Sequence, residues 1–471
     1  MERPNHKQTN SLSPRATLTA IIGLGVLSAA IYAVNFKIQG HLPGFSGLSG
    51  IQFYVVMFLF LSALYLGSVV LILKAIPNQA TSWGLIGIII LLSIIFRISL
   101  LPSEPTVLSK DMYRYIWDGR VQQNGMNPYQ YPPGAEELEN MRDDLIFPNI
   151  NRKDDPTLYP AGAQLFFRVL HALVGDSVFG FKGVMVFFDT LTVLVLMALL
   201  HNQGLNLLRI IIYAWNPLVI FEIAYSGHLE GLTVFLMVAA LYSSAIHKQI
   251  PGIFMLALAA AVKMYPALLL AAFLNRGGRI KGLIVFLLPI FLLYLPFIGA
   301  GNKISGFLPV YLKNSYESFN LGLKNLLMRL IPGIDYYLLS LLFIAVLALA
   351  GLVVFLRYKE DREVLWHAYF LSGLLMILMP ASLHPWYVIL IIPFLAIYPS
   401  AAWLIFTCSV SLSYLKYASP QGIMPTWILL VEYLPLFALL ITGFMFSKYN
   451  RRQKIAGREF SRKNGEIEGV T

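Results

Sequence analysis

The sequence predicts an all-α protein, a polytopic transmembrane helical bundle, on three observations. Of 471 residues, 57% are hydrophobic and 13% charged, with a mean hydropathy of +0.68; so little polar surface cannot cover a soluble globule. Apolar runs close to the roughly 20 residues that cross a bilayer recur from Ala16 almost to the C-terminus. The net charge of +11 sits mainly in short loops and in the tail carrying Lys448, Arg451, Arg452, Lys454, Arg458, Arg462 and Lys463. Cytoplasmic flanks of membrane helices look like this, so the partner implied is the lipid bilayer and no nucleic acid.

The elements follow in order. Residues 1–15 form a basic cytoplasmic leader with Arg3, Lys7 and Arg15. No small-residue cleavage site follows the first apolar run, which reads as a retained helix and not as a signal peptide. One membrane unit is expected over 16–447, with helices near 16–34, 51–73 and 83–101. A loop over 102–160 follows, with ten Asp and Glu against six Lys and Arg, a balance that suits the outer face. Further helices are expected near 178–199, 210–225, 229–246, 280–298, 337–357, 364–381, 386–399, 401–417 and 425–447, before a basic cytoplasmic tail over 448–471. That makes about 12 crossings of the cell (inner) membrane, with both termini cytoplasmic. The single cysteine, Cys408, lies in an apolar run and excludes an internal disulfide.

One segment breaks the pattern. "HKQIPGIFMLALAAAVKMYPALLLAAFLNRGGRIKG" is basic at both ends and holds Lys263 and Pro266 at its middle. A single crossing would leave one basic flank outside and Lys263 near the bilayer centre, at a cost of roughly 2.5–3.5 kcal/mol. A re-entrant hairpin turning at Lys263 to Pro266, in a cavity that opens outward, removes both problems.

Polar groups then stand out against the oil. In "SKDMYRYIWDGRVQQNGMNPYQYPP", Ser109 is placed to cap a helix running to about Asn124, on which Asp111, Arg114, Tyr115 and Asp118 share one face. Gly125 ends it, and Asn127-Pro128-Tyr129 makes a turn. Two readings stand: an interfacial amphipathic helix with an ordinary exposed Arg114–Asp118 pair, or a catalytic base, Asp111, oriented by Asp118 or Arg114. In "YSGHLEG", His228 and Glu230 are polar helix-end groups or metal-ligand chemistry. In "MPASLHPWYVILIIP", His384 stands ahead of a helix-breaking proline and beside Trp386-Tyr387, which is either an interfacial anchor or a cavity wall. Arg97 is expected to snorkel to headgroups, whereas Lys263 is an intramembrane cation and so a functional candidate.

"KDMYRYIWDGRVQQNGMNPY" resembles the first large outer loop of GT-C glycosyltransferases, particularly the bacterial polyprenyl-phosphate-mannose-dependent alpha-mannosyltransferases and, more distantly, the catalytic subunit of GPI mannosyltransferase I. "WNPLVIFEIAYSGHLEG" is similar to that group's N-P-x-x-x-x-E…G-H-x-[DE] region, with Glu230 where relatives often have Asp. "AVKMYPALLL" is similar to its K-x-x-P hairpin and "LHPWYVILIIP" to its H-P-W-Y segment. The resemblance implies transfer of a hexose, mannose first, from a polyprenyl-phosphate donor to a glycan or glycolipid hydroxyl on the extracytoplasmic face, with inversion. It makes Asp111 the base, with Asp118 as the second catalytic carboxylate, and Lys263 with Arg114 or Arg120 the cations for the leaving phosphate. Tyr113, Trp117 and Trp386 stack on sugars, and Tyr115, Tyr129, His228, Glu230 and His384 join the substrate-binding set. No cofactor and no obligatory metal are expected, because a protein cation balances a single phosphate. A lipid or glycan transporter and a membrane acyltransferase or glycan polymerase remain as alternatives, separated by sugar transfer in vesicles.

Overall fold

The computed structural model describes residues 14–38, 49–75, 83–105, 108–274, 278–313, 319–357, 363–419 and 422–445. Most of the leader and the whole basic tail lie outside the described residues. Within them the chain is helical, with no strand. Among the described residues, seven helices are long and apolar enough to cross a membrane: Arg15–Val34, Gly50–Lys74, Trp83–Leu100, Val178–Asn202, Arg279–Val310, Tyr336–Arg357 and Thr426–Met445. Leu207–Ala214 and Pro217–Tyr225, bent by 55°, make an eighth if they are one span. Other apolar helices, among them Glu230–Ala245, Gln249–Val262, Val364–Ile377 and Pro385–Ile397, are shorter than a full crossing.

Proline explains two of the breaks. Pro217 has no N–H to offer, and Asn216 Oδ1 accepts from the Leu218 N–H at 3.0 Å, starting a new helix. Pro385 likewise follows an extended His384. Helix Val178–Asn202 packs along Glu230–Ala245, Glu230–Ala245 along Gln249–Val262, and Gln249–Val262 in turn along Arg279–Tyr294. The last helix leaves Ile284, Leu287, Leu288 and Phe291 exposed, an apolar face suited to lipid.

The hairpin forms where the charge pattern demands one. Helix Gln249–Val262 stops at Lys263, and a 3₁₀ turn over Tyr265–Leu269 leads into Leu270–Phe273. The chain then runs back beside itself: a Cβ built on Gly252, at the start of the first arm, would lie 3.5 Å from the Phe273 ring at the end of the second.

The loop helix, Asp111–Gln123, is not an exposed amphipathic helix. Met112 to Gln122 are all buried, because the helix is covered by Ala161–Val174, by Val178–Asn202 and by the turn Phe147–Asn149. The approach is close enough to require glycine. A Cβ on Gly119 would stand 2.6 Å from the Phe167 carbonyl oxygen, and one on Gly162 would stand 2.6 Å from that of Ala261. The loop helix is thereby seated on Ala161–Val174, and that helix on the hairpin arm ahead of Lys263.

Arg97 does not snorkel. It is 1% exposed, and its Nε lies 2.5 Å from Asp189 Oδ2, while Nη1 donates to Ser93 and to the Ala214 carbonyl. Tyr213 donates to the other Asp189 oxygen at 2.6 Å. A buried carboxylate on the neighbouring helix makes an inward-facing pair cheaper than a stretched side chain at the headgroups. Lys182, also buried, donates to the carbonyls of Leu100, Leu101 and Ser103, capping the helix that leads into the loop.

Candidate active site

A cavity of about 660 Å³ opens between the loop, the hairpin turn and the His384–Tyr387 segment, within the roughly 300–1,000 Å³ of small-molecule sites. Asp111, Arg114, Lys263, His384 and Trp386 line it; five groups singled out in the sequence meet there from three distant stretches.

Asp111 opens the loop helix. The Ser109 hydroxyl accepts from the Asp111 N–H at 3.2 Å, so the serine serves the helix start although Lys110 holds the cap position. Its carboxylate Oδ1 accepts from Asn151 Nδ2 at 2.8 Å, and among the described residues no Lys or Arg pairs with it. Asp155, the other acid of the wall, is near Arg152 Nη1 at 3.4 Å. Asp111 thus offers an accessible oxygen in a polar, unneutralised setting, which a general base needs.

Asp118 sits one helix stretch behind. It is 1% exposed, accepts from Arg114 Nε and from Gln164 Nε2, each at 2.8 Å, and does not reach the cavity. Its geometry is that of a positioning group: it aims the Arg114 guanidinium, which also donates to the carbonyls of Arg152 and Asp155, into the wall. The exposed Arg114–Asp118 pair of the sequence reading is a buried one.

Lys263 faces the cavity from the hairpin turn, with Nζ 3.0 Å from Glu230 Oε1 and 5.3 Å from the Tyr387 ring centre. Glu230 is fully buried and also accepts from Tyr265 Oη at 3.1 Å. The unusual Glu230 is thus the partner of the lysine. Among the described residues no group of three His, Cys, Asp or Glu could hold a metal ion.

His384, Trp386 and His228 form a stack, with ring centroids 4.3 Å and 4.0 Å apart and Phe319 covering His384 at 4.8 Å. The Pro385 break aims His384 and Trp386 inward together, so the segment is a cavity wall and not only an interfacial anchor.

The structure does not bring the other candidates to the cavity wall. Tyr113 is buried. Tyr115 stacks on Phe167 at 4.8 Å, and Trp117 packs on Phe147 and under Arg120. Arg120 pairs with Asp143 and with Asp176. Tyr129 Oη donates to the Tyr159 carbonyl at 2.8 Å, behind an Asx turn in which Asn127 accepts from the Tyr129 N–H. These are supports of the loop. Burial alone would raise the Asp143 carboxyl, but the N–H groups of Phe147 and Ile146 and the Arg120 guanidinium outweigh it and hold the group below its ordinary value. Sequence reasoning missed Asn151 and Gln164, and it left Glu222, the acid of the N-P-x-x-x-x-E motif, without a role.

A helical membrane protein whose polar cavity joins an open carboxylate, four cations and stacked aromatics is built like an integral-membrane glycosyltransferase. The chain belongs to the MptA_B family: its model, described as alpha-(1->6)-mannopyranosyltransferase, N-terminal domain, matches residues 17–275. That stretch is more than half of the chain and holds Asp111, Arg114, His228, Glu230 and Lys263, whereas His384 and Trp386 lie beyond it. No curated protein and no solved structure matches the chain. The resemblance drawn from the loop, hairpin and histidine motifs is borne out, and the protein is a membrane glycosyltransferase of an alpha-mannosyltransferase family.

Proposed function

We propose that this chain transfers mannose from a polyprenyl-phosphate-linked donor to a hydroxyl of a glycan or glycolipid on the extracytoplasmic face, with inversion. Asp111 takes the proton as the acceptor O–H bond breaks and the new C–O bond forms at the anomeric carbon. The bond from that carbon to the phosphate oxygen breaks, and its electron pair leaves on the phosphate, whose developing charge meets Lys263 and Arg114. Trp386, stacked between His384 and His228, meets the cavity with its ring edge, and the apolar rim of Phe307, Leu308, Leu375 and Met379 suits the first units of a polyprenyl chain. The loop faces outward and both termini face the cytoplasm, on the distribution of Lys and Arg.

The observation that carries the reading is Asp111 held by a neutral amide on a cavity wall that also carries Arg114 and Lys263. Its test is transfer of labelled mannose from a polyprenyl-phosphate donor in vesicles. Asp111→Asn keeps shape and loses basicity, so turnover should fall about 10²–10⁴-fold, the usual share of a positioned base, with insertion and melting unchanged. We further propose that no divalent ion is obligatory, so chelator-treated vesicles keep their activity. Near-normal turnover by Asp111→Asn removes the base from Asp111.

A further inference from the structure

Behind Asp111 lies a second pair of groups that the transfer step does not explain. His228 is fully buried, and its ring nitrogens face two different carboxylates: Nδ1 is 3.9 Å from Asp111 Oδ2, and Nε2 is 3.4 Å from Glu222 Oε2. Neither nitrogen has a hydrogen-bond partner, nor does Glu222 Oε2. Glu222, itself fully buried, anchors its other oxygen on Tyr414 Oη at 2.8 Å. Trp386 lies nearly flat on the imidazole, 23° from parallel, and holds the ring plane between the two acids.

A purely structural histidine would be bonded, since a buried polar atom left unpaired costs free energy. Here two acids and a histidine sit in line with one end open to the cavity. Glu222 also sits on a π-helical turn, Phe221–Tyr225, a departure from regular helix frequently found at functional sites. The remaining charged or titratable neighbours are Lys263, whose charge Glu230 offsets, and His384, one ring further along the stack, on the His228 side, and Glu230 and Tyr54 on the Glu222 side.

We propose that His228 and Glu222 form a proton relay behind Asp111, with His228 receiving the proton that Asp111 abstracts and Glu222 acting as the positioning residue. The proposal rests on the reading of Asp111 as the base. The proton leaves the acceptor oxygen for Asp111 and then crosses from Oδ2 to Nδ1 as the 3.9 Å gap closes. Nε2–H stays aimed at the Glu222 carboxylate, which stabilises the imidazolium, and Asp111 is returned to its ionised form before the products separate. The proton goes back to water through Asp111 between turnovers. No other bond changes and no electron is transferred. Glu222 sets the tautomer: with Nε2 protonated toward it, the Nδ1 lone pair is left facing Asp111.

The test uses the full chain in detergent, a synthetic polyprenyl-phosphate-mannose and an alpha-mannoside acceptor. Glu222→Gln and His228→Gln should each lower kcat about 10- to 100-fold, a part of what a base contributes, with both KM values unchanged. The double variant should be no worse than either single one, because the two act as a unit. Wild-type kcat in both variants beside an inactive Asp111→Asn overturns the relay and leaves the base in place. An active Asp111→Asn overturns both. A substrate-free readout covers the case in which Glu222→Gln melts early. Among the eight histidines, the ¹⁵N signals lost in His228→Gln should report a protonated Nε2 and a bare Nδ1; the opposite tautomer overturns the relay whatever the kinetics.

Discussion

Removing the Lys263 charge tests the phosphate site, and the structure shows why the single variant alone misleads. Lys263→Met leaves Glu230 buried, with Tyr265 as its remaining donor. Two unit charges 3.0 Å apart attract with about 5–6 kcal/mol at an effective dielectric constant near 20, and breaking a buried pair from one side costs about 3–5 kcal/mol. The melting temperature should therefore fall, and lost activity could be lost fold. Lys263→Met with Glu230→Gln removes both charges and should recover most of the stability, because replacing a whole buried pair is often neutral. Donor turnover should stay low, with kcat/KM for the lipid donor down about 100-fold, or about 2.7 kcal/mol at 1.36 per tenfold, while acceptor KM stays put. The assay pairs detergent melting curves with initial rates against donor concentration for both variants. Wild-type donor kinetics in the stable double variant would refute the reasoning and leave Arg114 to hold the phosphate.

Three further outcomes follow. Trp386→Ala should raise the KM values more than it lowers kcat, and His384→Ala should lower kcat strongly; wild-type behaviour in both returns the segment to an interfacial anchor. Because the Asp143 carboxyl is held below its ordinary 3.8, its contribution to loop stability is complete above that value and is lost as pH falls through the lower folded one. Hydrogen exchange over 136–150 should rise in that acid window in wild type and be already raised at neutral pH in Asp143→Asn. Cysteines introduced at Glu137 and Asn464 should react with an impermeant reagent only from outside and only from inside, respectively, and the reverse pattern overturns the topology.

What the sequence could say depended on how many partners a statement needs. Helical class follows from hydropathy alone, because a bilayer leaves the backbone few ways to satisfy its hydrogen bonds. The loop helix was expected over 109–124 and runs Asp111–Gln123, and the break expected at Lys263 to Pro266 begins at Lys263; serine, glycine and proline are local signals. Burial of the loop helix was not legible. Tyr113 and Trp117, four residues apart, look like rings for a sugar to stack on, yet the helix is covered by three other elements and most of its aromatics are spent on packing. Asp118 and Arg114 share a face at i, i+4, but only the fold shows that the arginine reaches the cavity and the acid does not. Asp189 could not be matched to Arg97 at all, since nothing in a periodic apolar helix says which neighbour it turns toward.

The buried cations then sort themselves by what they face. Arg97 meets Asp189, and Lys182 meets three carbonyls at a helix end. Lys324, fully buried, meets the Pro380 carbonyl and the Ser340 hydroxyl. Each is held by protein acceptors, and none of the three lines the cavity. Lys263 and Arg114 also have carboxylate partners, but each keeps part of its charge on the wall. An anionic ligand can take up that remainder, whereas it cannot reach the others. An intramembrane cation as a functional candidate is narrowed by what it faces: Lys263 lines the cavity, and Arg97, Lys182 and Lys324 do not. The discriminating feature is the cavity in front and not the carboxylate behind: Glu230 and Asp118 hold Lys263 and Arg114 as Asp189 holds Arg97, but Lys263 and Arg114 line the cavity and Arg97 does not.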